Sequence, residues 1–274
     1  MKKSFVWRAG KKLVPPILTE PVFNVLRLVN NLRLVRRWHT NNFSSKLVAV
    51  GEKNSYLFDS RWLTVDISGA DFDVTLTHES SLPFDHDSKS IIYSRHTIEH
   101  LPEQTVIAFL KESFRILEPG GCLRVDAPDA DKVIDEYRAG NAEFFEPYTA
   151  WLLPERFRPT HITCIGLLSC YVENDQHIPV IAAKEDVDEK LRNLSNEEFA
   201  EWCISLQTAA QMKSWGHTTV ITVAKLKRWF LDIGFQDIKN TEPGTSNSGF
   251  DFSYIENTPR AAYSLFVEGF KPKA

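Results

Sequence analysis

Residues 82–129 constrain this chain more than any other stretch. Ser90-Ile91-Ile92-Tyr93-Ser94 is a short apolar run that passes directly into the polar string Arg95-His96-Thr97-Ile98-Glu99-His100-Leu101-Pro102. Apolar residues then recur at helical spacing from 106 to 117, the turn Glu118-Pro119-Gly120-Gly121 follows, and residues 122–127 read as a second strand closed by Pro128-Asp129. A strand, a helix and a strand in that order imply parallel neighbours joined by a right-handed crossover, hence an α/β sheet. Titratable side chains gather where the first of these strands ends. In open α/β sheets that is the crevice in which ligands sit.

The flanking sequence extends the sheet. Residues 46–51 and 62–67 read as two earlier strands, the second ending at Asp66, and 72–76 as a third. After a long middle region, 223–234 reads as a helix stopped by Gly234, with strands expected at 235–239 and 261–270. The middle region carries helical patterns at 131–138 and 196–212 around an irregular, proline-containing stretch at 147–179. The expected organisation is a basic helical extension over 1–45, an α/β domain over 46–130 and 216–274, and an inserted cap over 131–215 that covers the carboxyl edge of the sheet. Within the cap, Phe144, Phe145, Tyr148, Trp151 and Phe157, with His161 and His177, can stack on a sugar ring or simply fill a core.

Charge is unevenly distributed. Residues 1–46 hold ten Lys or Arg against one acid, Glu20, which leaves 22 basic and 35 acidic residues elsewhere. An acidic body disfavours nucleic acid as a partner. On the expected helix at about 20–38, Phe23, Leu26, Val29, Leu32 and Val35 form a stripe with Arg27, Arg33, Arg36 and Arg37 between them. Such a helix either packs on the domain with its arginines in water or lies peripherally on an anionic membrane surface, here through residues 1–40. Cys122, Cys164, Cys170 and Cys203 show no Cys-x-x-Cys pairing, and no secretory segment is visible, so a reducing, cytoplasmic setting is expected, including the inner face of a membrane.

The ordered series Leu82-Pro83-Phe84-Asp85, His96-x-x-Glu99-His100-Leu101, Arg115-x-Leu117-x-Pro119-Gly120-Gly121 and Pro128-Asp129 resembles the second half of a class I S-adenosylmethionine-dependent methyltransferase domain. Its wording is similar to the type 11-like methyltransferases found in cell-surface polysaccharide loci. The resemblance extends to Val65-Asp66-Ile67 and to 226–235 and 264–271. It implies a Rossmann-like, doubly wound, mostly parallel sheet with a helical cap insertion. It also implies S-adenosylmethionine as cofactor and a methyl acceptor that is a hydroxyl or amine of a small glycan, nucleotide-sugar or lipid-linked sugar.

A nucleotide-like cofactor in such a sheet needs a tight turn after the first strand and an acid at the end of the second to accept from both ribose hydroxyls. Gly51 and Asp66 meet those needs. Where the family has a second glycine this chain has Lys53, which can pair with the methionyl carboxylate or, pointing inward, repel the sulfonium. The resemblance assigns Ser81 and Leu82 to the adenine and puts Arg95 and His96 beside the methyl group. The alternative is an inactive methyltransferase-like binding or scaffold protein whose departed loop, 51–55, excludes the cofactor.

Methyl transfer to a hydroxyl or amine benefits from a general base of near-neutral pKa, and histidine is the natural choice. His96, His100 and His217 are the candidates, with His96 foremost. The resemblance gives Glu99 and His100 a structural role at the sheet edge and carries over the Trp215-Gly216-His217 histidine. His96 and His100 also have the spacing of a metal pair, but the usual metalloprotease order sets the glutamate beside the first histidine, and here it precedes the second. No metal site is therefore expected.

Overall fold

A computed structural model describes residues 45–53, 59, 61–152, 159–170, 182–214 and 216–273. The expected basic helix lies outside them. Four parallel strands open the chain: β1 (Leu47–Val50), β2 (Trp62–Asp66), the two-residue β3 (Phe72–Asp73) and β4 (Lys89–Arg95). Helix α1 (Glu103–Ile116) crosses to β5 (Leu117–Pro128), and after the cap α8 (Val223–Ile233) leads into β6 (Gln236–Asn240) and β7 (Ser264–Phe270). The seven strands form one sheet in the order β3-β2-β1-β4-β5-β7-β6. Only β7 runs against its neighbours, β5 and β6. This is the expected doubly wound, Rossmann-like sheet.

Alternation along the strands divides the core. Val48, Val50, Leu63, Val65, Ile92, Leu123 and Val125 face α1 and α8, which contribute Val106, Phe109, Leu110, Leu226 and Phe230. The intervening residues Ala49, Trp62, Ile91 and Tyr93 face the other way, onto Phe252 and Ile255. Helix α8 begins at Thr222, whose hydroxyl accepts the Lys225 amide at 3.1 Å, and stops at Gly234, whose φ of 110° suits glycine alone.

The cap is more helical than its sequence implies. After α2 (Ala130–Arg138), the stretch expected to be irregular holds α3 (Ala142–Leu152) and α4 (Thr160–Ser169), followed by α5 (Lys184–Asn193) and α6 (Asn196–Ser205). Pro159 stands just outside α4, where a missing amide costs nothing. The helix expected over 196–212 is instead broken between α6 and α7 (Ala209–Ser214), where Thr208 and Gln211 bond each other's backbone amides. Val133, Ile134, Phe145, Ile165 and Phe199 form a separate core, which Val220 and Tyr263 join from outside the cap. Among the described residues no helix is long and apolar enough to cross a membrane.

Candidate active site

The strand register aligns the carboxyl ends of four strands. Val50 pairs with Val65 and Ser94, and Ser94 with Val125, so the next residues, Gly51, Asp66, Arg95 and Asp126, form a row along one edge. Gly51 has φ 81° and donates its amide to the Val65 carbonyl at 2.8 Å. Thr97 packs where a Gly51 Cβ would stand, its Oγ1 only 1.7 Å from that point, so the glycine lets the segment after β4 press onto the turn after β1. Asp66 is half-buried at the end of β2, and its Oδ1 accepts the Ile67 amide at 2.6 Å. Burial raises its pKa, against the pull of that amide and of Lys53. Lys53 Nζ lies 3.5 Å from Ser68 Oγ, so its charge falls at the Asp66 end of the loop.

This arrangement fits the ribose of S-adenosylmethionine, since a desolvated carboxylate at the second strand's end calls for added donors and a diol supplies two. Two of the expected cofactor residues have protein partners in this structure. The Arg95 guanidinium is ion-paired to the buried Glu52 and donates to the Ile255 carbonyl at 2.8 Å. Leu82 is 3% exposed, held where its amide meets Glu112 at 2.9 Å and its carbonyl meets Arg115. Ser81 beside it is exposed. Residues 54–58, which would meet the methionyl end, lie outside the described residues.

Beyond β4 lies a buried cluster. His96 takes a left-handed conformation, φ 46°, with its amide on the Asp126 carbonyl at 2.8 Å. Its ring lies between acids: Nδ1 is 3.2 Å from Glu99 Oε1, and Nε2 is 3.0 Å from Ser264 Oγ and 3.5 Å from Asp126 Oδ1. Burial holds the His96 imidazole well below its usual range, helped by the Arg260 and Arg95 charges, and pushes Glu99 well above the usual carboxylate range. Asp126 is pushed by burial to about 7. Desolvation thus disfavours charge both on the His96 ring and on Glu99. Both Glu99 oxygens and Asp126 Oδ1 are buried without a hydrogen bond.

His100 and His217 join this cluster from the cap side, their rings edge to face at 4.9 Å. His100 Nδ1 is 3.2 Å from the Gly216 carbonyl, and His217 Nδ1 2.8 Å from that of Leu168. The three candidate histidines are thus brought together. Asp126 and Glu52 were not among the expected residues, although an acid inside the apolar run of β5 was a visible signal. Of the cap aromatics, Phe145 and Tyr148 are buried, and Tyr148 stacks edge-on against Tyr263 at 4.8 Å, so these two pack the core. The Trp151 side chain is not described, and Phe157 and His177 lie outside the described residues altogether.

Residues 43–125 match a family described as "Methyltransferase domain". No curated protein matches the chain. Among solved structures, an S-adenosylmethionine-dependent methyltransferase from Mesorhizobium loti is similar at 13% identity and a TM-score of 0.41, over 82% of this chain and 90% of that one. One from Archaeoglobus fulgidus is similar at 10% and 0.39, over 88% and 94%. At such scores the likeness is distant, and the weight falls on the matched segment and on the carboxyl edge itself. The matched segment runs from just before β1 into β5, under a third of the chain.

Proposed function

We propose that the protein methylates a hydroxyl or amine of a small glycan, nucleotide-sugar or lipid-linked sugar, with S-adenosylmethionine bound across the ends of β1, β2 and β4. The observation that carries the reading is Asp66, a half-buried acid of raised pKa at the end of β2 beside the positive-φ turn at Gly51. When bound, S-adenosylmethionine supplies an electrophilic methyl carbon on a sulfonium. The chain's own contribution is to fix geometry, exclude water and take up a proton. Asp66 holds the ribose, Gly51 lets the backbone come close, and Lys53 counters the charge at that end. His96 accepts the acceptor's proton, and Glu99 at 3.2 Å from Nδ1 and Asp126 at 3.5 Å from Nε2 hold the ring in place and face the imidazolium that forms. The sugar class is supported by the resemblance of the 82–129 series to enzymes of polysaccharide loci.

Calorimetric titration with S-adenosylmethionine and S-adenosylhomocysteine tests the cofactor assignment. Binding should be seen in the wild type and lost in Asp66→Ala; absence of binding to the wild type would instead favour a scaffold with a closed loop. Methyl transfer from labelled cofactor to a panel of nucleotide-sugars tests the base. In His96→Ala turnover should fall by roughly 10²–10⁴-fold while cofactor affinity is retained.

A further inference from the structure

We propose that Glu99, His100 and His217 form a binding site for one zinc ion, which ties the segment after β4 to the chain returning from the cap. The ligand atoms of these three side chains lie within 4.8 Å of one another. Around tetrahedral zinc, with bonds of about 2.0–2.1 Å, ligand atoms are roughly 3.4 Å apart, so closure needs about 1 Å of side-chain movement. His100 Nε2 is already 3.8 Å from Glu99 Oε1.

Three features make this a built site rather than a chance meeting. A backbone carbonyl can only accept, so the contacts of His100 Nδ1 with Gly216 and of His217 Nδ1 with Leu168 fix both Nδ1 atoms as N–H donors. Each ring is therefore set in the tautomer in which Nε2 is the nitrogen able to coordinate a metal, the one that outer carbonyls commonly enforce. His217 is further anchored by its amide on the Ser169 carbonyl and by Gln207 Nε2 on its own carbonyl at 2.8 Å. Glu99 is 2% exposed, and neither carboxyl oxygen has a hydrogen bond, although Oε1 lies 3.2 Å from His96 Nδ1, a costly state that a cation would relieve. Finally, Glu99 and His217 border a cavity of ≈ 10 Å³, about the room of one water, whose other walls are mostly apolar and do not include His100. The His100 side chain, 29% exposed, gives the ion a way in. Two imidazoles and a carboxylate suit zinc better than magnesium or calcium, which prefer oxygen ligands.

The proposal shares Glu99 with the proton-accepting cluster of His96, and its test reads metal binding, which does not depend on turnover. Full-length protein stripped with a chelator should bind one equivalent of Zn²⁺ by calorimetry, with no comparable binding of Mg²⁺. His100→Ala and His217→Ala should each weaken zinc affinity on the order of 100-fold or more and abolish the zinc-dependent rise in Tm. Co²⁺ added to the wild type should give the visible bands of a tetrahedral nitrogen and oxygen site without thiolate charge-transfer absorption, a readout that survives if a variant fails to fold. Failure of the stripped wild type to bind zinc, binding equally tight in both variants, or a Co²⁺ spectrum dominated by thiolate would each overturn the site.

Discussion

Gly51 shows how one missing methyl shapes the carboxyl edge. A Cβ there would meet Thr97 Oγ1 at 1.7 Å and Thr97 Cβ at 2.8 Å, and the residue's φ of 81° already disfavours a side chain. Gly51→Ala should therefore cost on the order of 3 kcal/mol, combining backbone strain with overpacking. In a Thr97→Ala background the same change should cost less, because the hydroxyl clash is gone while the Cβ contact remains. Urea denaturation of the double-mutant cycle checks this, and equal costs in both backgrounds would mean that the two loops do not press together. Asp126 offers a second test at this scale. Its pKa is raised to about 7 by burial, so between pH 4 and 7 the folded state binds a proton that the unfolded state has lost. That contribution to stability is present at low pH and falls away as pH rises towards 7. Asp126→Asn cannot ionise, so its stability relative to wild type should improve from pH 5 to pH 8, by at most a few kcal/mol. A pH-independent difference would show that Asp126 titrates normally.

Among the elements, β5 combines core and charge. Arg124 on this strand is fully buried, ion-paired with Glu256 at 2.6 Å and Glu268 at 3.3 Å, and stacked over Phe252 at 4.7 Å. It joins β5 and β7 to the short segment that covers the second face of the sheet. Arg124→Met would strand two buried carboxylates and should cost about 3–5 kcal/mol, while adding Glu256→Gln and Glu268→Gln should return part of that loss; thermal and urea unfolding measure both. The sheet itself could be read from the sequence because its strands are short apolar runs punctuated by Gly51, Asp66, Pro119 and Gly234, all local signals. Helices α3 and α4 could not, because Pro147 and Pro159 look like breakers, yet α3 continues through Pro147 and Pro159 stands just outside α4. Asp66 and Gly51 were legible as strand-end residues. The Arg95–Glu52 pair, the burial of Leu82 and the place of Asp126 in the row were not, since each depends on strand register or on loops meeting across the edge.

At the scale of the whole molecule, the sheet and the cap have separate cores but few independent attachments. The Glu99 carbonyl accepts the amides of Thr218 and Thr219, and Thr219 Oγ1 donates to the Leu101 carbonyl at 2.6 Å, so the chain leaving the cap is stitched to the segment after β4. Lys225 on α8, almost buried, reaches Glu197 on α6 at 2.8 Å and Glu103 on α1 at 3.1 Å, again joining cap to sheet. Tyr263, between β5 and the cap core, is packed by Tyr148. Parts linked in this way should unfold together rather than in sequence. Trp62 lies buried in the sheet and Trp202 packs against the cap core, which makes them local reporters. In variants that keep only one of these tryptophans, fluorescence should report the same midpoint. S-adenosylmethionine at ~100 times its Kd should then stabilise both signals equally, by about 2.7 kcal/mol, although the residues proposed to hold it are on the sheet edge. A Trp62 transition that moves with ligand while the Trp202 transition stays fixed would mean that residues 131–215 fold as an independent unit rather than as part of one cooperative structure.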